Sequence, residues 1–253
     1  MKLKTPDGFS LDAVFNRVEE SEQVIILSHG VTTNKVDEVI LLALENKFNE
    51  GGFSTLRFDY RAHGKSSGNS VEDFSISGEL IDLETVISFL KKEGFEKIGL
   101  VGVSFGGGVG AEFAGRHPDI INKLCLVSPV IDSSLVIHGT SQWCKKHFSD
   151  YEKKLMTQGY IVAGSSGFKF GPKAIKEILT YTPHITLTHY PGPVLLVHGT
   201  ADETVRLTDV QKVLKTVTVP NLHVELIKDG DHAFHEQPYQ EIAVEKVFTF
   251  FNE

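Results

Sequence analysis

Lys97-Ile98-Gly99-Leu100-Val101-Gly102-Val103-Ser104-Phe105-Gly106-Gly107-Gly108-Val109-Gly110-Ala111 is the stretch whose reading decides the fold. Its opening residues are an apolar run of strand length, and the small residues after Phe105 pass into a helix-like segment through Glu112-Phe113-Ala114. Ser104 therefore stands on a sharp strand-to-helix turn, a place that presents a hydroxyl for nucleophilic work. Glycines flank it because such a turn strains the backbone and brings helix and strand close together. Gly-x-Ser-x-Gly alone is common by chance; the strand before it and the helix after it carry the reading. Gly106–Ala111 also satisfies the Gly-x-Gly-x-x-Ala pattern of a dinucleotide-binding turn. That pattern needs an acidic residue at the end of the next strand, where this chain has Ser128-Pro129.

Outward from this stretch, strands and helices alternate. Pro6-Asp7-Gly8 predicts a turn between two short extended segments, hence an opening hairpin. Gln23–Ser28 and Ser54–Asp59 predict strands, separated by a helix through Val39–Leu44 that runs to Gly51-Gly52. Ile76, Leu80, Leu83, Ile87 and Leu90 follow helical steps of four and three, and Gly94 stops them. Further strands are predicted at Lys97–Val103, Lys123–Ser128, Val194–His198 and Val224–Ile227. A last helix near Glu241–Phe251 would place Ile242, Val247, Phe248 and Phe251 in one apolar band. This order implies an α/β fold with a mainly parallel sheet of about eight strands, covered by helices on both faces.

One segment breaks the rhythm. Residues 131–190 hold the only tryptophan, Trp143, four of six tyrosines and three phenylalanines, without a strand–helix repeat. They read as an insertion within a single domain of 1–253, standing over the carboxyl edge of the sheet as a lid or as a subdomain packed on its own aromatics. The insertion carries seven lysines against four acids, while the whole chain has a formal net charge of −8.

That acidic balance argues against nucleic acid or an anionic membrane as the main partner. At 253 residues the chain suits one domain with a full core. Cys125 and Cys144 form neither a disulfide framework nor a Cys-x-x-Cys metal pattern, and Cys125 lies in an apolar strand as an inert thiol. The first residues lack the apolar core of a signal peptide, and no apolar run is long enough to span a membrane. A reduced, cytoplasmic setting is the expectation. No pair among the 11 histidines has convincing metal spacing, so neither a metal nor another cofactor is expected.

A serine hydroxyl needs a base, an acid to orient that base, and donors for developing negative charge. In folds built around such a turn, acid and base follow the serine in that order. Asp202 sits in the loop just past the strand Val194–His198, where sites in open parallel sheets collect. His232 follows the strand Val224–Ile227 and is the candidate base. Glu203 and Asp231 compete with Asp202, although neighbouring side chains such as Asp231 and His232 usually diverge. His235 would face elsewhere unless its loop is already helical, and His117 before Pro118 reads as a helix end. For the negative charge, the Phe105 N–H is one candidate donor. The other comes from the loop His29–Asn34, with Val31 N–H first and Thr32 next.

These pieces resemble the α/β-hydrolase superfamily over nearly the whole chain: Ser28-His29-Gly30, Arg57–Ser66, Gly102–Gly107, His198–Val205 and Asp229–Phe234. Within it the chain is most similar to cinnamoyl/feruloyl-esterase-like carboxylesterases and related serine-aminopeptidase-like hydrolases. The resemblance implies Ser104, Asp202 and His232 as a catalytic triad, and Val31 with Phe105 as the oxyanion pair. It also implies that Arg61 and His63 brace loops. Two departures stand out: Ala62 replaces the usual glycine, and Phe105 stands where many cinnamoyl esterases carry glutamine, adding apolar bulk beside the acyl site. The implied activity is hydrolysis of small to medium carboxylic esters through an acyl-enzyme. The partner is then a small-molecule ester, aromatic-acid esters included, and a homodimer is the one assembly entertained. An acyl-thioesterase or acyltransferase using the same residues, its basic insertion meeting an anionic group, is the alternative. A non-catalytic ligand-binding member of the fold is the third reading.

Overall fold

The computed structural model describes residues 1–253. The chain runs β1 (Lys2–Lys4), β2 (Ser10–Asn16), β3 (Gln23–Ser28), α1 (Val39–Glu50), β4 (Ser54–Phe58), α2 (Ile76–Lys92), β5 (Lys97–Val103), α3 (Phe105–Arg116) and β6 (Lys123–Val127). The segment that follows contains α4 (Leu135–His138), α5 (Gln142–Phe148), α6 (Tyr151–Gln158), β7 (Ile161–Ala163), β8 (Phe168–Phe170), α7 (Pro172–Ile178) and α8 (Pro183–Thr186). The chain then closes with β9 (Val194–Gly199), α9 (Leu207–Leu214), β10 (Leu222–Ile227) and α10 (Tyr239–Asn252).

Eight strands form one sheet in the order β1-β2-β4-β3-β5-β6-β9-β10. β1 and β2 make the antiparallel opening hairpin, β2 meets β4 antiparallel, and every pairing from β4 to β10 is parallel. Parallel strands are buried on both faces, which is why β3, β5, β6 and β9 read as unbroken apolar runs. Alternate residues feed opposite cores: Ile26, Leu100, Leu124 and Leu196 pack with α2 and α3, whereas Leu27, Val101, Cys125 and Val197 pack with α1 and α10. In α2 all five residues of the four-and-three pattern are buried, the Ser75 hydroxyl caps the start by accepting from Gly78 N–H, and Gly94 at φ +92° ends the run.

The last helix differs from expectation. Ile242 is 40% exposed, and Ala243, Val244, Val247 and Phe251 make the buried stripe. α10 starts at Tyr239, and in that register Ile242 turns to solvent while its two successors meet the sheet. Residues 131–190 add no strand to the main sheet; β7 and β8 pair only with each other. Their aromatics join the core on the α2–α3 side, with Phe170 packed edge-on to Phe74 and Phe148. No helix is long and apolar enough to cross a membrane.

Candidate active site

β5 ends at Val103, and Ser104 turns the chain into α3 with φ 53° and ψ −117°. A residue with a side chain at such angles costs about 1–3 kcal/mol, so the surroundings must hold it there. They do so through backbone bonds: Ser104 N–H donates to Val127 O at 2.8 Å, and Ser104 O accepts from Val130 N–H at 2.9 Å. Glycine is obligatory on both sides. A Cβ on Gly102 would stand 2.5 Å from Gly106 O, and one on Gly106 would stand 2.3 Å from His29 O.

Three loops along the carboxyl edge of the sheet bring distant side chains together. Ser104 Oγ lies 3.0 Å from His232 Nε2, and His232 Nδ1 lies 2.8 Å from Asp202 Oδ2. Because a carboxylate only accepts, Nδ1 carries the proton, which leaves Nε2 to accept from the serine hydroxyl. Asp202 Oδ1 accepts from the N–H groups of Thr204 and Val205 at 2.9 and 2.8 Å. Burial works against the Asp202 charge, but His232 above all, with His198 and the Val205 N–H, outweighs it and holds the carboxyl below its ordinary range. Burial likewise opposes a charged His232, yet Asp202 and the more distant Glu38 and Asp231 raise the imidazole above its ordinary value.

Of the competing residues, Glu203 is exposed and Asp231 turns away toward His235, whose Nδ1 lies 3.4 Å from its Oδ2. His235 does border the site. The loop is a 3₁₀ turn over His232–Phe234, and His235 Nδ1–H donates to His232 O at 2.7 Å. His117 caps the end of α3, as its sequence position indicates.

Val31 and Ser104 line one cavity of about 770 Å³. Neither the Val31 nor the Phe105 N–H is spent on a backbone bond, so both remain free to donate. The Phe105 side chain corrects the expectation of apolar bulk beside the acyl site. Its ring is 2% exposed, packs on Phe74 at 5.7 Å between centroids, and does not border the cavity. As first residue of α3 it points into the core, so only its backbone faces the serine.

Several residues of the site carried no sequence signal. Lys35, buried, places Nζ 2.6 Å from both Asp12 Oδ2 and Asp59 Oδ2, while its N–H donates to Asp59 Oδ1; together these tie down the Val31 loop. Ser166, in the β7–β8 turn, donates to Thr32 O at 2.8 Å and clasps the same loop from above. His198 sits behind Asp202: its Nε2–H donates to Val205 O at 2.9 Å and lies 3.4 Å from Asp202 Oδ2. Arg61 pairs with Asp82 and Asp7, and His63 stacks on Phe168, in the bracing roles the resemblance implied. Ala62 adopts φ 62°, the left-handed conformation that glycine accepts more readily. The segment 131–190 supplies Leu135, Val136, Trp143 and Lys146 to the cavity wall, and Arg206 joins from the start of α9.

Comparison with known proteins agrees with this architecture. The chain is 26% identical to Est1E of Butyrivibrio proteoclasticus, whose structure was determined with bound ferulic acid; the two superpose with a TM-score of 0.85 over 100% of this chain and 98% of that one. It is 34% identical over 147 residues to an uncharacterised 31.7 kDa protein of Escherichia coli, covering 54% of this chain and 47% of that protein. The chain thus spans about half the length of that relative. It is 28% identical to the palmitoyl-protein thioesterase ABHD10 of Rattus norvegicus, over 92% of this chain and 76% of that protein. Residues 23–153 match the family described by the α/β hydrolase fold, so with its parallel sheet and the serine turn after β5 this chain belongs to the α/β hydrolases.

Proposed function

We propose that the protein is a serine carboxylesterase acting on small to medium carboxylic esters. The observation that carries this reading is the unbroken line Asp202–His232–Ser104, with bonds of 2.8 and 3.0 Å. In the proposed cycle Ser104 Oγ attacks the ester carbonyl while His232 Nε2 takes its proton. The Val31 and Phe105 N–H groups receive the oxyanion. Collapse of this intermediate breaks the bond to the alcohol, which leaves with the proton from Nε2. Water, deprotonated by the same nitrogen, then adds to the acyl-serine carbonyl; this intermediate collapses by breaking the bond to Ser104 Oγ, which takes the proton back from Nε2 as the acid leaves. Residues 131–190 serve as the lid, with Leu135, Val136 and Trp143 giving the cavity an apolar side for an acyl group.

An acyl-thioester is the second reading. Lys146 and Arg206 border the same cavity and offer cations to an anionic carrier, and ABHD10, similar over most of the chain, is a thioesterase by name. Matched ester and thioester substrates of one acyl group separate the two. Ser104→Ala tests both: turnover of p-nitrophenyl butyrate falls by roughly four orders of magnitude while the fold persists. A variant that keeps most of its activity overturns the mechanism.

A further inference from the structure

Glu38 is a buried carboxylate that the proposed cycle does not use. It closes the loop carrying Gly30 and Val31, is 5% exposed, and makes no capping bond to α1. Its Oε2 shares a small volume with the serine: the place a Cβ on Gly30 would take lies 3.5 Å from Glu38 Oε2 and 3.5 Å from Ser104 Oγ. Glu38 also borders the cavity, as do His232 and His235. His235 Nε2 lies 3.9 Å from its Oε1. Burial raises the Glu38 carboxyl above its ordinary range, while His232, His235 and the Gly30 N–H act the other way. A buried acid held like this is costly to keep charged, and such groups concentrate where charge is used.

The groups around His232 come from separate elements. Asp202, in the loop after β9, approaches Nδ1, whereas Glu38, in the loop after β3, stands on the Ser104 side. Asp231 adjoins His232 in the chain, and His198 of β9, on the far side of Asp202, is held neutral by burial. His235 follows the 3₁₀ turn, with Nδ1–H donated to His232 O and Nε2 3.9 Å from Glu38 Oε1, beyond hydrogen-bond reach. Two acids thus stand around one imidazole, Asp202 bonded at Nδ1 and Glu38 farther off on the Ser104 side.

We propose that Glu38 is a second acidic positioning residue, whose negative charge on the Ser104 side supports the His232 imidazolium formed during attack. This rests on the esterase reading. No proton is delivered to Glu38: the serine proton moves to Nε2 and then to the departing alkoxide, while the carboxylate acts through the field it exerts on the ring. Its effect is greatest when the imidazole is charged, so it acts on turnover more than on substrate binding.

The test uses the full chain, p-nitrophenyl butyrate, and pH profiles of kcat and kcat/KM for wild type, Glu38→Gln and Glu38→Asp. Loss of the negative charge lets the imidazole lose its proton more readily, so the acid limb of kcat/KM moves to lower pH by about half a unit to one unit. In the same variant kcat falls roughly 10-fold with KM nearly unchanged, the loss expected when an opposite charge is removed from a developing cation. Glu38→Asp keeps the charge and the wild-type limb. An acid limb of Glu38→Gln that coincides with wild type overturns the proposal, whether activity is kept or lost. Should that variant fail to fold, Glu38→Ala carries the same two readings. Labelling by a serine-directed phosphonate separates this from the parent reading. A labelled Ser104 with an unmoved limb refutes only the role of Glu38, whereas an unlabelled serine and an active Ser104→Ala refute the esterase.

Discussion

Asp202→Asn is the most informative single substitution, because the structure dictates which way the amide must face. Oδ1 of Asp202 receives two backbone N–H groups, from Thr204 and Val205, and Oδ2 receives the Nδ1–H of His232. An asparagine has one acceptor atom and one donor group at its tip. If its NH₂ faced the two backbone donors, two buried N–H groups would be stranded against a third, at about 1–3 kcal/mol each. The carbonyl oxygen therefore stays on Thr204 and Val205, and the NH₂ faces the imidazole. His232 must then present a bare Nδ1 to accept, which moves its proton to Nε2 and points it at Ser104 Oγ. In that tautomer the ring cannot take the serine proton. The expected loss in kcat is about four orders of magnitude, or about 5 kcal/mol in the barrier. The assay is steady-state hydrolysis of p-nitrophenyl butyrate near pH 7.5, beside thermal melts showing that the variant folds. Glu203→Gln is the control and stays within a few-fold of wild type, because that exposed carboxylate neither bonds to His232 nor perturbs it. Retention of more than about a tenth of wild-type kcat by Asp202→Asn would refute the reasoning.

Two further outcomes follow from buried charge. Lys35→Met leaves Asp12 and the buried Asp59 without their shared ammonium, and breaking a buried pair in this way destabilises the fold by about 3–5 kcal/mol. Urea titration checks this, and adding Asp59→Asn restores part of the loss; a Lys35→Met midpoint equal to wild type contradicts it. His63 is held neutral, its imidazole lowered to about 3 by burial and by neighbouring His29. A histidine whose folded value lies below its unfolded one takes up protons preferentially when unfolded, so its contribution is complete above pH 6.5 and is lost as pH falls toward 3. The unfolding free energy therefore drops by about 1.4 kcal/mol per pH unit from this group as the medium acidifies below that value. His63→Asn flattens the slope over pH 6.5 to 4.5; an unchanged slope shows that other groups set it.

The legible part of this molecule is the part in which residue type and position are tightly coupled. A strand buried on both faces can hold only apolar residues, so β3, β5, β6 and β9 stand out as runs, and the loops at their carboxyl ends follow by counting. For that reason Ser104, Asp202 and His232, up to 128 residues apart, could be nominated together before any geometry was known. α10 shows where the coupling weakens. Its sequence Tyr239–Asn252 is apolar on more than one side, so periodicity alone could not choose between Ile242 and its neighbours, and contact with the sheet decided it. β7 and β8, three residues each, are too short to display alternation, and the Ser166 to Thr32 bond they create depends on a turn rather than on a pattern. Charged loop residues are the hardest case. Asp37 is exposed and Glu38 buried, yet in the chain they are adjacent acids with nothing to tell them apart. What distinguishes them is where α1 begins relative to Gly30, and Gly30 is itself confined by the Ser104 side chain. Ser104, the proposed nucleophile, could be read from its own glycines because sterics act on neighbours in sequence. The field around His232 could not, because it is made by residues that meet only after the sheet has formed.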